Sequence, residues 1–336
     1  MRGTPARVVA VTLGSLLILC VSLAAAFAFG VEHVDFRRAF SDPDSVDGVI
    51  LFKERMTRGA LAALVGAALS PAGVAFQALL RNPLADPYVL GVSGGAAVAG
   101  AAAIVLGGAA GFLGGWDLPV WAFFGALGAI AIVYAFGRVR GRLVPNVALL
   151  AGVVLNALAS ALVLAIRLLA EPNAAHEAMY WLTGNIGPVE PSKLVVLSVY
   201  VAVGVIGLFA MAVPMNALAL GDESAHAVGI DTERSRRLIF LAASLLTGAA
   251  VAFAGPIGFV GIVVPHVLRG ILGPDHRVLI PASALVGGAF VVIAHLLARL
   301  ALLVVGRELT VGVLTALAGA PFFLWVLRRR GTERFF

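Results

Sequence analysis

Long apolar runs alternate with short polar breaks along the whole chain. A helix needs about 20 apolar residues to cross the hydrocarbon core of a bilayer. By that length the pattern predicts ten membrane spans, at 8–30, 59–80, 88–107, 119–137, 146–170, 194–213, 237–255, 257–272, 279–304 and 310–327. The first run exceeds the apolar core of a secretory signal, about 7–15 residues, and is expected to stay as a span. The eighth run is short and holds Pro265. That predicts a tilted, broken or partly re-entrant segment. The longest polar segments are 31–58, 171–193 and 214–236, and no linker or low-complexity tract divides the chain. One domain over 1–336 is expected.

One break stands out. Residues 79–95 read LLRNPLADPYVLGVSGG. Proline disfavours helix in the residue before it, so Asn82 and Asp86 must end the two flanking apolar segments. The break reads as a stiff hairpin turn between the second and third spans.

Composition assigns the runs to a class. The chain is 61% hydrophobic and 12% charged, with a mean hydropathy of +1.02, against about 25% charged residues in a soluble domain. It is expected to be an all-α polytopic membrane protein. The net charge of +6 is not a nucleic-acid signal, because the basic residues lie mostly in short loops. With the N-terminus inside, 15 Lys and Arg residues fall on inner segments and 9 on outer ones, which places both termini in the cytoplasm. Lys53, Arg55 and Arg58 cluster outside, against that rule.

The candidate chemistry is sparse. No Asp, Glu or Lys falls within a predicted span. Ion-coupled carriers usually keep intramembrane carboxylates, which argues against a secondary transporter. Sodium sites built from carbonyls and hydroxyls stay open. No G-x-x-x-x-G-K-[ST] phosphate loop exists, and the only lysines are Lys53 and Lys193, so the chain is not itself an ATPase. The single cysteine, Cys20, allows no disulfide or thiolate metal site within one chain. His266 and His295 read as helix-packing groups, and no metal site or catalytic residue is expected. The inner segment 216–233, NALALGDESAHAVGIDTE, offers an apolar face of Leu218, Leu220, Ala225, Val228 and Ile230. Gly221 and Gly229 would break it into two small helices. Such a segment fits either an entry point for energy from another subunit or an amphipathic loop on the membrane.

Four stretches carry a resemblance: QALLRNPLADPYVLGVSGGAA (77–97), MNALALGDESAHAVGI (215–230), GPIGFVGIVVPHVLRGILGPDHRVLIPASALVGG (255–288) and VGVLTALAGAPFFLWVLRR (311–329). In order and spacing they resemble the FecCD-type permease subunits of type II ABC importers, which take up iron chelates, haem and cobalamin. The resemblance implies a ten-helix permease that forms a homodimer in a bacterial or archaeal inner membrane. It implies two cytoplasmic ATPase subunits, which bind ATP and Mg, and a periplasmic or lipid-anchored substrate-binding protein. It implies no cofactor in this chain. An iron-siderophore is favoured as cargo on the breadth of the family, with haem and cobalamin beside it. An ion-coupled carrier or a channel without an ATPase partner is the alternative.

The resemblance also implies roles residue by residue. Leu220, Gly221, Asp222, Glu223, Ser224, Ala225 and Gly229 match the coupling segment that docks into the ATPases. Arg55, Arg58 and Arg299 match outer arginines that face acidic residues of the binding protein. Around the first two, Met56 and Thr57 replace the family's Leu-Pro, so the local backbone is expected to differ. Asn82, Leu84, Val144 and Pro145 match the cytoplasmic mouth. Asn156 and Ser160, in the fifth span, are read as facing the pathway or bonding between helices.

Overall fold

The computed structural model describes residues 4–83, 85–107, 116–139 and 141–333. The first helix, α1 (Pro5–Ala28), opens on a proline, where the missing N–H would be unpaired anyway. Two short helices follow, each capped by the preceding polar side chain. Asp35 accepts from the N–H groups of Arg37 and Arg38 to start α2 (Phe36–Ser41), and Ser45 accepts from Gly48 N to start α3 (Val46–Gly48). The chain then runs through a π-helical stretch, Val49–Arg55, into α4 (Met56–Leu79) without a break. Thr57, standing where a proline was expected from the resemblance, keeps this helix continuous, and its Oγ1 donates to Lys53 O at 2.5 Å.

A corner with a short 3₁₀ turn, Pro87–Leu90, leads to α5 (Val92–Gly107). Next come α6 (Asp117–Phe136) and a two-stranded hairpin of β1 (Arg138–Val139) and β2 (Arg142–Leu143), which pairs Arg138 with Leu143. The chain continues through α7 (Pro145–Leu169), α8 (Pro172–Leu182) and α9 (Pro191–Ala210). Then follow α10 (Ala212–Leu220), α11 (Asp222–Ala227), α12 (Thr232–Ala254) and α13 (Val260–Leu272). The last elements are α14 (His276–Leu300), α15 (Leu302–Val305) and α16 (Val311–Glu333). Among the described residues, seven helical stretches are long and apolar enough to cross a membrane. Three shorter apolar helices lie at Val92–Leu106, Val260–Leu272 and Val311–Val326.

The core sits around α4, which packs along α14, α12 and α13. Small residues make this approach close. A methyl group on Gly66 would lie 2.1 Å from Gly287 O of α14, and one on Gly73 would lie 2.0 Å from Gly261 O of α13. Phe76 of α4 meets Phe240 of α12 edge to face, with centroids 6.1 Å apart. In contrast, α1, α7 and α9 leave most of their apolar surface exposed in the single chain.

The eighth apolar run departs from expectation in an informative way. Pro265 does not break α13. Proline cannot donate to the carbonyl four residues earlier, here Gly261 O. That carbonyl instead accepts from Gln77 Nε2 of α4 at 3.0 Å. The irregular stretch lies earlier, at 255–259, where Gly255 (φ 68°) and Phe259 (φ 67°) turn the chain. At about 1.5 Å per residue, the 13 residues of α13 rise roughly 20 Å, short of a hydrocarbon core of about 30 Å.

Candidate functional site

One end of the bundle carries α10 and α11. Gly221 separates them at φ 122° and ψ 160°, and Gly229, at φ 79°, turns the chain toward α12. These backbone states favour glycine, so the two glycines do divide the segment. Ala225 is buried, while Leu220, Glu223, Ser224 and Val228 are exposed. The unit is fastened from several sides. Asn216 Nδ2 donates to Asp275 Oδ1 at 2.9 Å, and Asn216 Oδ1 accepts from His276 N at 3.0 Å. His226 Nε2 lies 3.2 Å from Thr232 Oγ1. Asp222 Oδ1 accepts from Arg236 at 2.6 Å and also from Arg81.

Arg81 opens the corner between α4 and α5. Asn82 beside it is exposed; Leu84 lies outside the described residues. The rest of the corner turns into the protein. The carboxylate of Asp86 accepts from the N–H of Tyr88 at 2.9 Å and from that of Phe259. Tyr88 Oη accepts from Ile257 N at 2.8 Å. The two irregular stretches, one before α5 and one before α13, therefore pair with each other. Non-helical backbone at membrane depth is tolerated where protein buries it, and this pairing supplies the partners. Asn156 of α7 joins in, donating to Tyr88 O at 2.8 Å, so its amide serves as a tie between α7 and the corner. Ser160 Oγ, on the same helix, donates to Asn156 O at 2.9 Å. Val144 and Pro145 sit at the start of α7, where Val144 N donates to Gly137 O at 2.9 Å. The adjacent β2 is held to α12 by Leu143 N, 3.3 Å from a carboxylate oxygen of Glu233.

The opposite end brings together the three arginines singled out in the sequence, and it divides their roles. Arg55 is 1% exposed. Its guanidinium donates to Phe27 O at 2.8 Å, to Ala28 O at 3.2 Å and to Glu32 O. It thereby satisfies the orphan carbonyls at the C-terminus of α1. Burial leaves it no face for a partner's carboxylate, which corrects the docking role expected of Arg55. Arg58 is partly exposed and pairs with Glu54 at 3.0 Å and Glu308 at 3.2 Å. With Arg299 and Glu32 these residues border an open cavity of about 240 Å³.

Several of these partners carried no sequence signal. In the sequence Arg81 and Arg236 count only toward the inner positive charge, and Gln77 and Glu308 carry no assigned role. Their importance comes from partners far along the chain, such as Gln77 with Gly261 and Arg81 with Asp222.

Comparison with known proteins agrees with this geometry. The profile of the FecCD transport family matches residues 15–329. The chain is 42% identical to the cobalamin import system permease protein BtuC of Halobacterium salinarum, over 93% of this chain and 79% of that one. It is 38% identical to the hemin transport system permease protein HmuU of Yersinia pestis, over 96% of each chain. Among solved structures, an inward-facing ABC transporter assigned to the metal-chelate type superposes with a TM-score of 0.81 at 27% identity, covering 96% of this chain and 99% of the other. A more distant likeness, to PsaBC from Streptococcus pneumoniae, has a TM-score of 0.57 at 18% identity and shows the fold alone. This multi-pass membrane protein belongs to the FecCD transport family of ABC importer permeases.

Proposed function

We propose that the chain is one half of a homodimeric permease that carries a metal chelate into the cytoplasm, powered by two separate ATPase subunits. The observation that carries the reading is the α10–Gly221–α11 unit. It presents Leu220, Glu223, Ser224 and Val228 outward from a buttressed base, as a docking surface for an ATPase requires. In this reading the ten apolar helices are ten spans of one permease domain, and the α11 end and both termini are cytoplasmic. The membrane is the inner membrane of a bacterium or archaeon. ATP and Mg bind the partner subunits.

The experiment substitutes Gly221→Val and Glu223→Arg in the complex reconstituted with its ATPase. Valine is strained at the Gly221 backbone, at a cost of about 1–3 kcal/mol, enough to shift a docking equilibrium by roughly tenfold. Uptake per ATP hydrolysed is expected to fall by that order. Full substrate-coupled hydrolysis in both variants overturns the coupling role.

At the other end, Arg58 and Arg299 receive a soluble binding protein through its carboxylates, since the arginine fork pairs with a carboxylate in two hydrogen bonds. Glu308 already occupies Arg58. Glu308→Gln is therefore expected to tighten capture of the binding protein by up to about fivefold at low salt, the worth of one exposed ion pair. Weaker capture in a titration would reverse the assignment.

The cargo is a metal chelate. Two of the relatives are named for cobalamin and for hemin, and both molecules have that form. The iron siderophore that family breadth suggested stands beside them. Uptake of labelled cobalamin, hemin and an iron siderophore, in cells lacking their own importers, separates the three.

A further inference from the structure

We infer that Arg81 is the mechanical link between the coupling helix and the cytoplasmic mouth, a positioning residue that makes Asn82, at the start of the corner, follow α11. The inference deepens the proposed function and rests on it.

Its backbone is the first observation. Arg81 has φ 48°, and among the described residues it shares positive φ with only one other non-glycine residue, Phe259. A left-handed conformation in a bulky residue persists where its surroundings over-determine it. Part of that surrounding is the C-terminus of α4, where Arg81 N donates to Ala78 O at 3.4 Å and Asn82 N donates to Gln77 O at 3.2 Å, the left-handed cap common at helix ends. The side chain adds two ties to other elements. Nε donates to Leu218 O, in the last turn of α10, at 3.0 Å, and a terminal nitrogen donates to Asp222 Oδ1 at the start of α11. The guanidinium thus straddles Gly221, with one bond on each side of the break between α10 and α11.

The second observation is the shared oxygen. Asp222 Oδ1 also accepts from Arg236 of α12 at 2.6 Å. One carboxylate oxygen therefore joins three elements: the coupling helix, α12 and the corner. The side chains of Arg81 and Asp222 are 43% and 44% exposed. Exposed pairs contribute little to stability, so the fold does not depend on this arrangement. Its value is geometric. Arg81 is bonded to α11 through its side chain and to Asn82 through its backbone. A displacement of α11 pulls on the corner without passing through α12.

The test uses the permease–ATPase complex with Cys20→Ser as background, because Cys20 is an exposed free cysteine. Spin labels are placed on the two copies of Ala227→Cys, at the end of α11, or of Asn82→Cys, on the corner. Distances across the dimer are measured with and without ATP and vanadate. Both pairs are expected to shift in the background protein. With Arg81→Met added, the Ala227 pair still shifts and the Asn82 pair stays still. Asp222→Asn gives the same loss at Asn82, and combining it with Arg81→Met adds nothing further, as expected for one link in series. An Asn82 shift that survives Arg81→Met overturns the link while leaving the coupling role of α11 intact. If the Ala227 pair fails to shift in the background protein, the coupling reading falls and the link falls with it.

Discussion

Gly73→Ala is expected to leave little folded permease in detergent, although it adds a single methyl group to a buried helix. The methyl carbon would lie 2.0 Å from Gly261 O and 2.6 Å from Gly261 C and Cα. All three are backbone atoms, so no side chain can rotate away. The helices α4 and α13 must separate by more than an ångström. That separation stretches the Gln77–Gly261 bond of 3.0 Å, which replaces the hydrogen bond Pro265 cannot make. Overpacking a well-filled interior costs about 1–3 kcal/mol, and leaving a buried carbonyl unpaired costs about 1–3 kcal/mol more. The sum, about 2–6 kcal/mol, reaches the lower end of a net stability of about 5–15 kcal/mol. Gly128→Ala is the control, because nothing lies within 4 Å of the added carbon there. The check is the thermal unfolding midpoint of each purified variant. A Gly73→Ala midpoint equal to the parent's would show that the α4–α13 approach is looser than the structure has it.

The second large effect separates two arginines that lie three residues apart. Arg55→Met is expected to destabilise the protein, and Arg58→Met is expected to spare stability while weakening capture of the binding protein. Arg55 holds the carbonyls of Phe27, Ala28 and Glu32 from a buried position. Hydrogen bonds from a charged group contribute about 1.5–3 kcal/mol each. Shared among three carbonyls and not additive, their loss is expected to cost about 3 kcal/mol or more. Arg58 pairs with Glu54 and Glu308 near the surface, so its loss should stay within about 1 kcal/mol. Unfolding midpoints and a binding titration on both variants check the crossover. Equal midpoints for the two, with capture lost in both, would return Arg55 to the docking surface.

Much of this was legible in the sequence, for reasons local to each segment. Apolar runs near 20 residues mark membrane helices because backbone groups in hydrocarbon must pair within the segment. The lysine and arginine bias pointed to an orientation, and Gly221 and Gly229 marked the breaks around α11 because left-handed backbone favours glycine. The prolines of the corner marked the break after α4, although the helix itself stops at Leu79, before the Asn82 that the proline rule named.

The tertiary structure decided what depends on partners distant in sequence. Pro265 looked like a helix breaker, yet α13 continues through it because Gln77 takes up the stranded carbonyl of Gly261, 184 residues away. The irregular stretch fell at 255–259, where Asp86 and Tyr88 accept from the N–H groups of Phe259 and Ile257 that no helix pairs. Arg55 and Arg58 look alike in a sequence string, but only Arg55 falls under the end of α1. Arg81 gained its role from Asp222, 141 residues away. Sequence period and residue type set which segments become helices and where they must stop. Whether a charge or a carbonyl is buried, and what then pairs with it, is fixed only when separate helices meet, because the cost of an unpaired polar group depends on which neighbour replaces water.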